Sequence, residues 1–296
     1  MTNSSTSLQS KLSLNVYVTP MRPMVGTPPQ GPGDEPIWSP MSSTLIYGEH
    51  DAILVDTLVT FDQVDALADW VTSFKKRVTT ILITHGHADH WIGLQQLLKH
   101  FPGVRTMARP AVRDRAQFEV TNPTLRKYWQ GTFPGEIGEN PTVPDGTTET
   151  VVELEGHRID LIDIGQGDTE HSTIMHIPSI AAIVAGDVVY NQVHMMTGET
   201  DEQSRQKWMD NLDRIAAMNP QIIVAGHKRV GTSDGPENIA ESKKYLADFS
   251  RVVKENETVE AIVQAMLTLH PNRDNPHVVW HSARQAVTKR TESELS

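Results

Sequence analysis

The chain has 296 residues, 38% of them hydrophobic, with no cysteine and a formal net charge of −11 at pH 7. This size allows a large buried core, whereas the acidic balance argues against nucleic acid as a partner, because nucleic-acid binding depends on clustered Lys and Arg. The lack of a long apolar run and of a secretory signal predicts a cytoplasmic protein with no membrane partner, and the lack of cysteine excludes disulfides and thiolate ligands.

The N-terminal part combines a polar start with a long loop. Residues 1–12 are rich in Ser, Thr and Asn, which predicts disorder. Residues 14–18 follow as a predicted strand, and residues 20–40 carry Pro and Gly throughout. A loop of this length inside a compact domain is usually functional or disordered. It is either part of a substrate site, with Trp38 as a pocket residue, or a surface excursion packed by Trp38.

Strand and helix signals then alternate along the chain. Residues 43–47 and 52–56 are predicted strands joined by a polar turn, and the apolar spacing over residues 61–74 predicts a helix. Residues 79–83 form the next predicted strand, and a helix and a further strand follow residue 90. Strand, loop, helix and strand predict a βαβ unit with a right-handed crossover.

The loop of this unit carries metal-binding side chains. It reads Thr-His-Gly-His-Ala-Asp-His, so that His85, His87, Asp89 and His90 fall within six residues. Imidazole nitrogen and carboxylate oxygen are the usual ligands of zinc and similar first-row ions. His85 and His87 are expected to project toward one point, and Asp89 and His90 toward a second point beyond the turn. The pattern predicts a metal site with two ions.

Three further candidate ligands stand at the ends of later predicted strands. His171 follows a Gly-rich turn, whereas Asp187 and His227 each follow an apolar strand. A helix predicted over residues 204–218 lies between those two strands. An α/β scaffold builds a rigid site by delivering ligands from several strand ends.

The remaining segments are predicted to be helical additions to one domain, which extends over residues 13–296. Residues 109–138 form a predicted insertion, whose Tyr128 and Trp129 either roof an apolar substrate pocket or belong to the core. Residues 237–285 form predicted extra C-terminal helices. Their apolar face packs either on the domain or on a second copy of the chain in a homodimer.

The series from Asp56 to His227 resembles the metallo-β-lactamase superfamily, which implies an αββα sandwich of two mixed β-sheets flanked by helices. The resemblance implies that three histidines hold the first metal, namely His85, His87 and His171. It implies that the second metal is held by Asp89, His90 and His227. Asp187 would bridge both ions, and Asp56 would orient the ligand histidines from behind. Two divalent ions are therefore expected, zinc first, with manganese or iron as alternatives.

Two details of the resemblance concern the reaction. A bridging aspartate in a chain without cysteine resembles the glyoxalase II and lactonase branch rather than the zinc β-lactamases. Tyr190 has the position at which the lactonases place a tyrosine over the metals, where its hydroxyl would assist the reacting oxygen; an ordinary strand-end tyrosine is the alternative. His194 and Met195 are candidate substrate contacts, with a surface position as the alternative for His194. In this family the loop at residues 20–40 often folds over the metals.

The expected reaction is hydrolysis of an acyl bond by a hydroxide that bridges the metals, with Asp89 and Asp187 at the reacting centre. Tyr190 and the aromatic insertion favour opening of a cyclic ester or cyclic amide (a lactone or lactam) in a small, rather apolar molecule, with detoxification as one role. A thioesterase of the glyoxalase II or carrier-protein type is the alternative. A mononuclear iron sulfur dioxygenase is a third class, against which the complete ligand set argues.

Overall fold

Twelve strands and eight α-helices make up the part of the chain that the computed structural model describes, residues 11–26 and 31–295. The strands, in chain order, are β1 (Ser13–Val18), β2 (Arg22–Pro23), β3 (Ile37–Trp38), β4 (Ser42–Tyr47), β5 (Asp51–Val55), β6 (Arg77–Ile83), β7 (Arg105–Ala108), β8 (Val151–Leu154), β9 (His157–Gly165), β10 (Ser172–Ile177), β11 (Ala182–Asn191) and β12 (Ile222–Lys228). The helices are α1 (Phe61–Ser73), α2 (Leu94–His100), α3 (Pro110–Thr121), α4 (Pro123–Thr132), α5 (Glu202–Ala217), α6 (Glu237–Glu255), α7 (Val259–Leu269) and α8 (His277–Leu295).

The first sheet has five strands in the order β1-β4-β5-β6-β7. β1, β4 and β5 are antiparallel neighbours, whereas β5, β6 and β7 run parallel, with α1 and α2 in the connections. Residues 52–55 and 81–83 are buried apolar runs in the two central strands. Such runs are typical of parallel strands that are covered on both faces. The βαβ unit predicted around the metal loop is present.

The second sheet has the order β12-β11-β10-β9-β8. β11 and β12 are parallel and are connected through α5, and the other pairs are antiparallel. The register between β11 and β12 shifts between Gly186 and Tyr190, and Gly186 has a φ of +51°. An irregularity of this kind turns side chains away from the regular ladder, and Asp187 lies within it.

Three buried apolar layers show how sheets and helices stack. Ile53 and Val224 belong to the layer between the two sheets. Leu67 belongs to a layer between the first sheet and helices α1 to α4. Trp208 and Phe249 belong to a layer between the second sheet and helices α5 to α8. The architecture is therefore the αββα sandwich that was predicted.

The chain ends differ from the predictions. Residues 1–10 lie outside the described part, but Leu12 is buried between the sheets, so that the predicted disorder of residues 1–12 does not extend to it. The C-terminal helices continue past residue 285 to the end of α8. Pro276 precedes the first residue of α8, where the N–H that proline lacks breaks no helical hydrogen bond.

The predicted insertion contains α3 and α4, and the loop at residues 20–40 packs against it. In this loop β2 pairs with β3, and residues 27–30 lie outside the described part. Trp38 packs against Trp129 and Phe133, with ring centroids 5.2 and 5.5 Å apart. Among the described helices, none combines the length and the apolar character that crossing a membrane requires.

Candidate metal centre

The predicted metal loop follows β6, at an edge where the two sheets meet. His85 forms an isolated bridge with Ser172, the first residue of β10 in the second sheet. Asp89 and His90 lie in the short 3₁₀ turn Ala88–His90. His85, Asp89 and His90 are buried, and His87 is partly buried. The loop therefore places its polar side chains between the sheets.

Three groups of side chains each bring ligand atoms within 4.8 Å of one another, which is close enough to share one ion. These groups are His85, His90 and Asp187; His85, His87 and Asp168; and Asp89, His90 and His227. Because the groups share His85 and His90, they form one continuous cluster. Six of the seven predicted ligands are in it.

The structure corrects the predicted role of His171, which lies outside the cluster. Its side chain is exposed. Asp168 is buried instead, with Oδ2 2.8 Å from Nδ1 of His87 and 3.8 Å from Nε2 of His85. Gly165, with a φ of +95°, begins the turn before β10. This turn directs residue 168 inward and leaves residue 171 outside.

Unpartnered buried atoms show that the cluster fits cations. Nε2 of His85, Nε2 of His90 and Oδ1 of Asp187 are buried and form no hydrogen bond within the described residues, and the same holds for Oδ1 of Asp168. Buried polar atoms normally have a hydrogen-bond partner, and these atoms are of the types that bind zinc. A Cβ at Gly226 would collide with Oδ1 of Asp187, so glycine is required beside it.

The carboxylates of the cluster require positive charge beside them. Burial raises the pKa of Asp89, but His90 and His227 outweigh burial and lower the pKa to about 2. For His90 the directions are reversed. Burial lowers the pKa of its imidazole, but Asp187 and Asp89 outweigh burial and raise this pKa to about 9. Without a metal, a protonated imidazole supplies the positive charge beside the carboxylates. A bound divalent ion would take over this role, because a histidine that binds a metal is neutral.

Hydrogen bonds behind the cluster orient its rings. Nδ1 of His90 lies 2.9 Å from Oδ2 of Asp56. The two Asp56 oxygens accept hydrogen bonds from the N–H and the hydroxyl of Thr84 at 2.8 and 2.7 Å. Nδ1 of His227 lies 2.9 Å from the carbonyl oxygen of Pro40. Both rings therefore turn Nε2 toward the cluster, and Asp56 stands where the resemblance implies an orienting carboxylate.

Replacing Asp56 with Asn should weaken metal binding without unfolding the protein. Asp56 has a φ of +59°, which Asn also tolerates, but Asn lacks the charge that faces Nδ1 of His90. Loss of such an outer partner typically lowers metal affinity about 10- to 100-fold. Chelator competition measures this affinity, with Asp65→Asn as the matched control because Asp65 contacts the surface residue His100 at 2.7 Å. Equal zinc affinity in both variants would contradict the orienting role.

A second set of outer partners, which no sequence pattern predicted, surrounds His87. Nε2 of His87 lies 3.2 Å from Glu199, and Glu199 pairs with Arg115 of α3 at 2.7 Å. Arg115 also pairs with the buried Glu119 at 3.2 Å. Glu119 accepts a hydrogen bond from the N–H of Ala88 at 3.1 Å. The insertion therefore holds the metal loop at two successive residues.

The predicted residues after Asp187 take three different positions. Tyr190 is buried, and its hydroxyl donates a hydrogen bond to Oδ2 of Asp187 at 2.7 Å. His194 is buried in the cavity wall rather than on the surface. Met195 belongs to the core, which corrects its prediction as a substrate contact, and Met196 lines the cavity instead. Successive side chains of an extended segment face opposite sides, so only one of the two methionines reaches the cavity.

A cavity of about 380 Å³ opens onto the cluster. Four predicted pocket residues line it, namely Trp38, Tyr128, Trp129 and His194. The loop at residues 20–40, the insertion and α8 contribute to its walls. Its acidic and basic side chains, apart from histidines, are Asp89, Arg115, Glu119, Asp168, Asp187 and Glu199.

Two known proteins are similar in sequence to this chain. A metallo-beta-lactamase type 2 from Bacteroides fragilis is 24% identical over 214 residues, which are 71% of this chain and 76% of that protein. Ribonuclease J from Pyrococcus abyssi is 25% identical over 183 residues, which are 59% of this chain and 35% of that protein.

Solved structures share the fold. A metallo-beta-lactamase family protein from Thermus thermophilus matches with a TM-score of 0.60 and 18% identity, over 93% of this chain and 94% of that one. A metallo-beta-lactamase from Pontibacter korlensis matches with a TM-score of 0.57 and 17% identity, over 82% and 98%. The sequence profile described as the metallo-beta-lactamase superfamily matches residues 37–227, which contain the whole cluster. The chain therefore belongs to the metallo-beta-lactamase superfamily of metal-dependent hydrolases.

Proposed function

We propose that the protein is a binuclear metal-dependent hydrolase that opens a cyclic ester or cyclic amide in a small, uncharged, largely apolar molecule. The observation that carries the proposal is the composition of the cavity. The candidate ligands, an aromatic wall and Tyr190 line the same cavity. Among the described residues, Arg115 is the only Lys or Arg that lines it, and this side chain is already paired with two glutamates.

The charges of the cavity favour an uncharged substrate. Five carboxylates line it, namely Asp89, Glu119, Asp168, Asp187 and Glu199. Arg115 pairs with two of them. With neutral histidines, five negative charges and one guanidinium leave a charge of −4, which two divalent ions would bring to zero. A carboxylate or phosphate on the substrate would therefore find no unpaired side-chain cation.

The size and the aromatic wall favour a compact ring. A volume of about 380 Å³ lies near the lower end of the roughly 300–1,000 Å³ that is usual for small-molecule sites. Trp38 and Trp129 meet edge to face in the wall, and Tyr128 stands beside them. Aromatic side chains pack well against other flat rings in offset or edge-on arrangements.

Tyr190 is positioned to act on the reacting carbonyl. Its ring stacks against His227 at a centroid distance of 5.5 Å, and its hydroxyl reaches Asp187. Burial, together with the charge of Asp187, holds the pKa of Tyr190 well above its ordinary value. The hydroxyl therefore keeps its proton at neutral pH. With the Asp187 oxygens taken by metal ions, the hydroxyl would turn from Asp187 and donate its one proton to the substrate oxygen as negative charge develops there, which stabilises the transition state.

The remaining residues would hold the metals and orient water. Divalent ions would supply an activated water molecule and polarise the acyl carbonyl. One ion would be held by His85, His87 and Asp168, and the other by Asp89, His90 and His227, with Asp187 between them. Asp89 and Asp187 line the cavity, and the positive charge of the divalent ions would keep both carboxylates ionised. Their oxygens can accept hydrogen bonds from the attacking water and so orient it.

Replacing Tyr190 with Phe should lower kcat about 10- to 100-fold, because one donor to the developing oxyanion is lost. Metal content should not change, since the cluster keeps all its ligand atoms. Steady-state kinetics and metal analysis on the same preparation test both points. Tyr245→Phe is the matched control, because Tyr245 is equally buried but its hydroxyl contacts His194 rather than Asp187. An unchanged kcat would make Tyr190 an ordinary structural residue.

The thioesterase alternative has less support. A glutathione or carrier-protein thioester carries carboxylates or a phosphate, for which Lys and Arg near the C-terminal helices are the candidates. Each of these cations pairs with an aspartate: Lys228 with Asp234, Arg229 with Asp274, Lys243 with Asp213, and Lys244 with Asp248. Lys228 is also buried. Ring opening therefore remains the preferred reaction.

Initial rates on a γ-lactone, a γ-lactam and a linear thioester test the proposal, with zinc-loaded and manganese-loaded protein. A variant that combines Asp89→Ala and His90→Ala is the control for metal dependence. We expect one of the cyclic substrates to be preferred and its hydrolysis to disappear in the control. Dominant thioester cleavage would favour the alternative. If metal binds but all three substrates are inert, oxygen uptake on a persulfide tests the sulfur dioxygenase class.

A further inference from the structure

One buried amide in the cavity wall has no role at the metal centre. Asn275 lies just before α8, is 3% exposed and lines the cavity. Its Nδ2 donates a hydrogen bond to Oγ of Ser39 at 2.6 Å. Its Oδ1 is buried and accepts no hydrogen bond from the described part of the chain. With Nδ2 bonded to Ser39, the side chain keeps a carbonyl oxygen that has no partner among the described residues.

This amide lies near the candidate metal ligands. Ser39, its hydrogen-bond partner, precedes Pro40, whose carbonyl oxygen lies 2.9 Å from Nδ1 of His227. Ser39 and His227 both line the cavity together with Asn275. The chain before Asn275 is held in place by the N–H of His194, which donates to the carbonyl of Asp274 at 2.9 Å. Asn275 thus belongs to the wall on the His227 side of the site.

A second unpartnered atom belongs to the same wall. Trp38 precedes Ser39 and lines the cavity, and its Nε1 is buried without an acceptor among the residues described. Two residues of the wall therefore carry unpartnered groups, the acceptor Oδ1 of Asn275 and the donor Nε1 of Trp38. Both residues neighbour Ser39, Trp38 along the chain and Asn275 through its hydrogen bond. A secondary amide has the complementary pair, an N–H donor and a carbonyl acceptor. An ester has acceptors alone and would leave Oδ1 of Asn275 unpaired.

We infer that Asn275 is a specificity-determining residue whose Oδ1 accepts a hydrogen bond from a ring N–H of the substrate. The preferred substrate class is then a cyclic amide or carbamate with an unsubstituted nitrogen, rather than a lactone. This inference rests on the proposed ring-opening function and narrows it. A site built to pair with a donor discriminates against an analogue that lacks the donor, because the buried acceptor is left without a partner.

The backbone at Asn275 determines which variants are informative. Its φ is +58°, a left-handed conformation that Gly and Asn or Asp adopt more readily than other residues. Asn275→Gly therefore deletes the amide without backbone strain. Asn275→Asp tolerates the same conformation and keeps an oxygen acceptor at the same place. The two variants separate loss of the acceptor from disturbance of the turn.

The experiment measures kcat/KM of the zinc-loaded enzyme on three matched substrates: an aryl γ-lactam with a ring N–H, its N-methyl derivative, and the corresponding γ-lactone. We expect Asn275→Gly to lower kcat/KM on the N–H lactam about 10- to 30-fold. The same change should not lower the other two rates, because neither substrate donates to Oδ1 and its deletion removes the unpaired acceptor that disfavours both. Asn275→Asp should keep the wild-type preference for the N–H lactam over its N-methyl derivative. Metal content is determined for every variant.

Two results would overturn the inference and leave ring opening intact. One is an equal loss on all three substrates in Asn275→Gly, and the other is a wild-type enzyme that opens the lactone but neither lactam. A wild-type enzyme that opens none of the three rings would instead contradict the proposed function itself.

Discussion

Substitution of Asp187 by Ala is expected to abolish metal binding and hydrolysis together. The oxygens of Asp187 lie 3.3 Å from Nε2 of His90 and 3.2 Å from Nε2 of His227, and Asp187 also shares a ligand group with His85. The substitution removes the carboxylate that stands between the two sets of ligands. We expect a larger loss of metal affinity than the about 100-fold that can follow removal of an outer partner.

Metal analysis after dialysis, together with the rate on the preferred substrate, measures both effects. Asp163→Ala is the matched control, because Asp163 is a carboxylate of the same sheet that pairs with Arg109 at 2.8 Å and is half-exposed. Far-UV circular dichroism should show native secondary structure in both variants. Full metal content in the Asp187 variant would refute the bridging position.

The fold was predictable where its signals are local in sequence. Helix α1 has an apolar face at Val64, Leu67, Ala68 and Val71, and these positions recur at helical spacing. The buried strands of both sheets appear as continuous apolar runs. The end of α8 was not predicted, because its apolar residues do not concentrate on one side and a proline stands before it.

The ligand series was also predictable. Each ligand follows a strand that is recognisable in the sequence, and the ends of neighbouring strands lie at one edge of a sheet. The error at His171 arose within a turn, where spacing alone does not tell which side chain points inward. The sequence Gly-Asp-Thr at residues 167–169 contains a carboxylate, that of Asp168. Histidine was expected as the ligand at this turn, so Asp168 was not predicted as one. Gly165, with its positive φ, stands at the start of that turn.

The outer parts of the site depend on tertiary contacts that no spacing signals. Arg115 and Glu199 are 84 residues apart, and Ser39 and Asn275 are 236 residues apart. In the sequence alone, none of these four residues can be distinguished from an ordinary surface residue. They become part of the site only because α3 and the loop before α8 pack around the cavity.

Asp168 and His171 provide the sharpest test of the corrected ligand set. Asp168→Ala removes a buried carboxylate beside His85 and His87, so that we expect one of two ions to be lost and hydrolysis to fall with it. His171→Ala removes an exposed side chain outside the cluster and should keep both ions and the wild-type rate.

Asp168→His separates ligand chemistry from general disturbance of the turn. An imidazole at this position would complete the three-histidine set that the resemblance implied, so metal content should return toward that of the wild-type protein. The bound metal is counted for all three variants by elemental analysis, and its affinity is determined by chelator competition. If His171→Ala lost an ion while Asp168→Ala kept both, the turn in solution would present residue 171 to the metal, and the original ligand prediction would be right. Loss in neither variant would mean that His85 and His87 hold their ion without a third ligand from this turn.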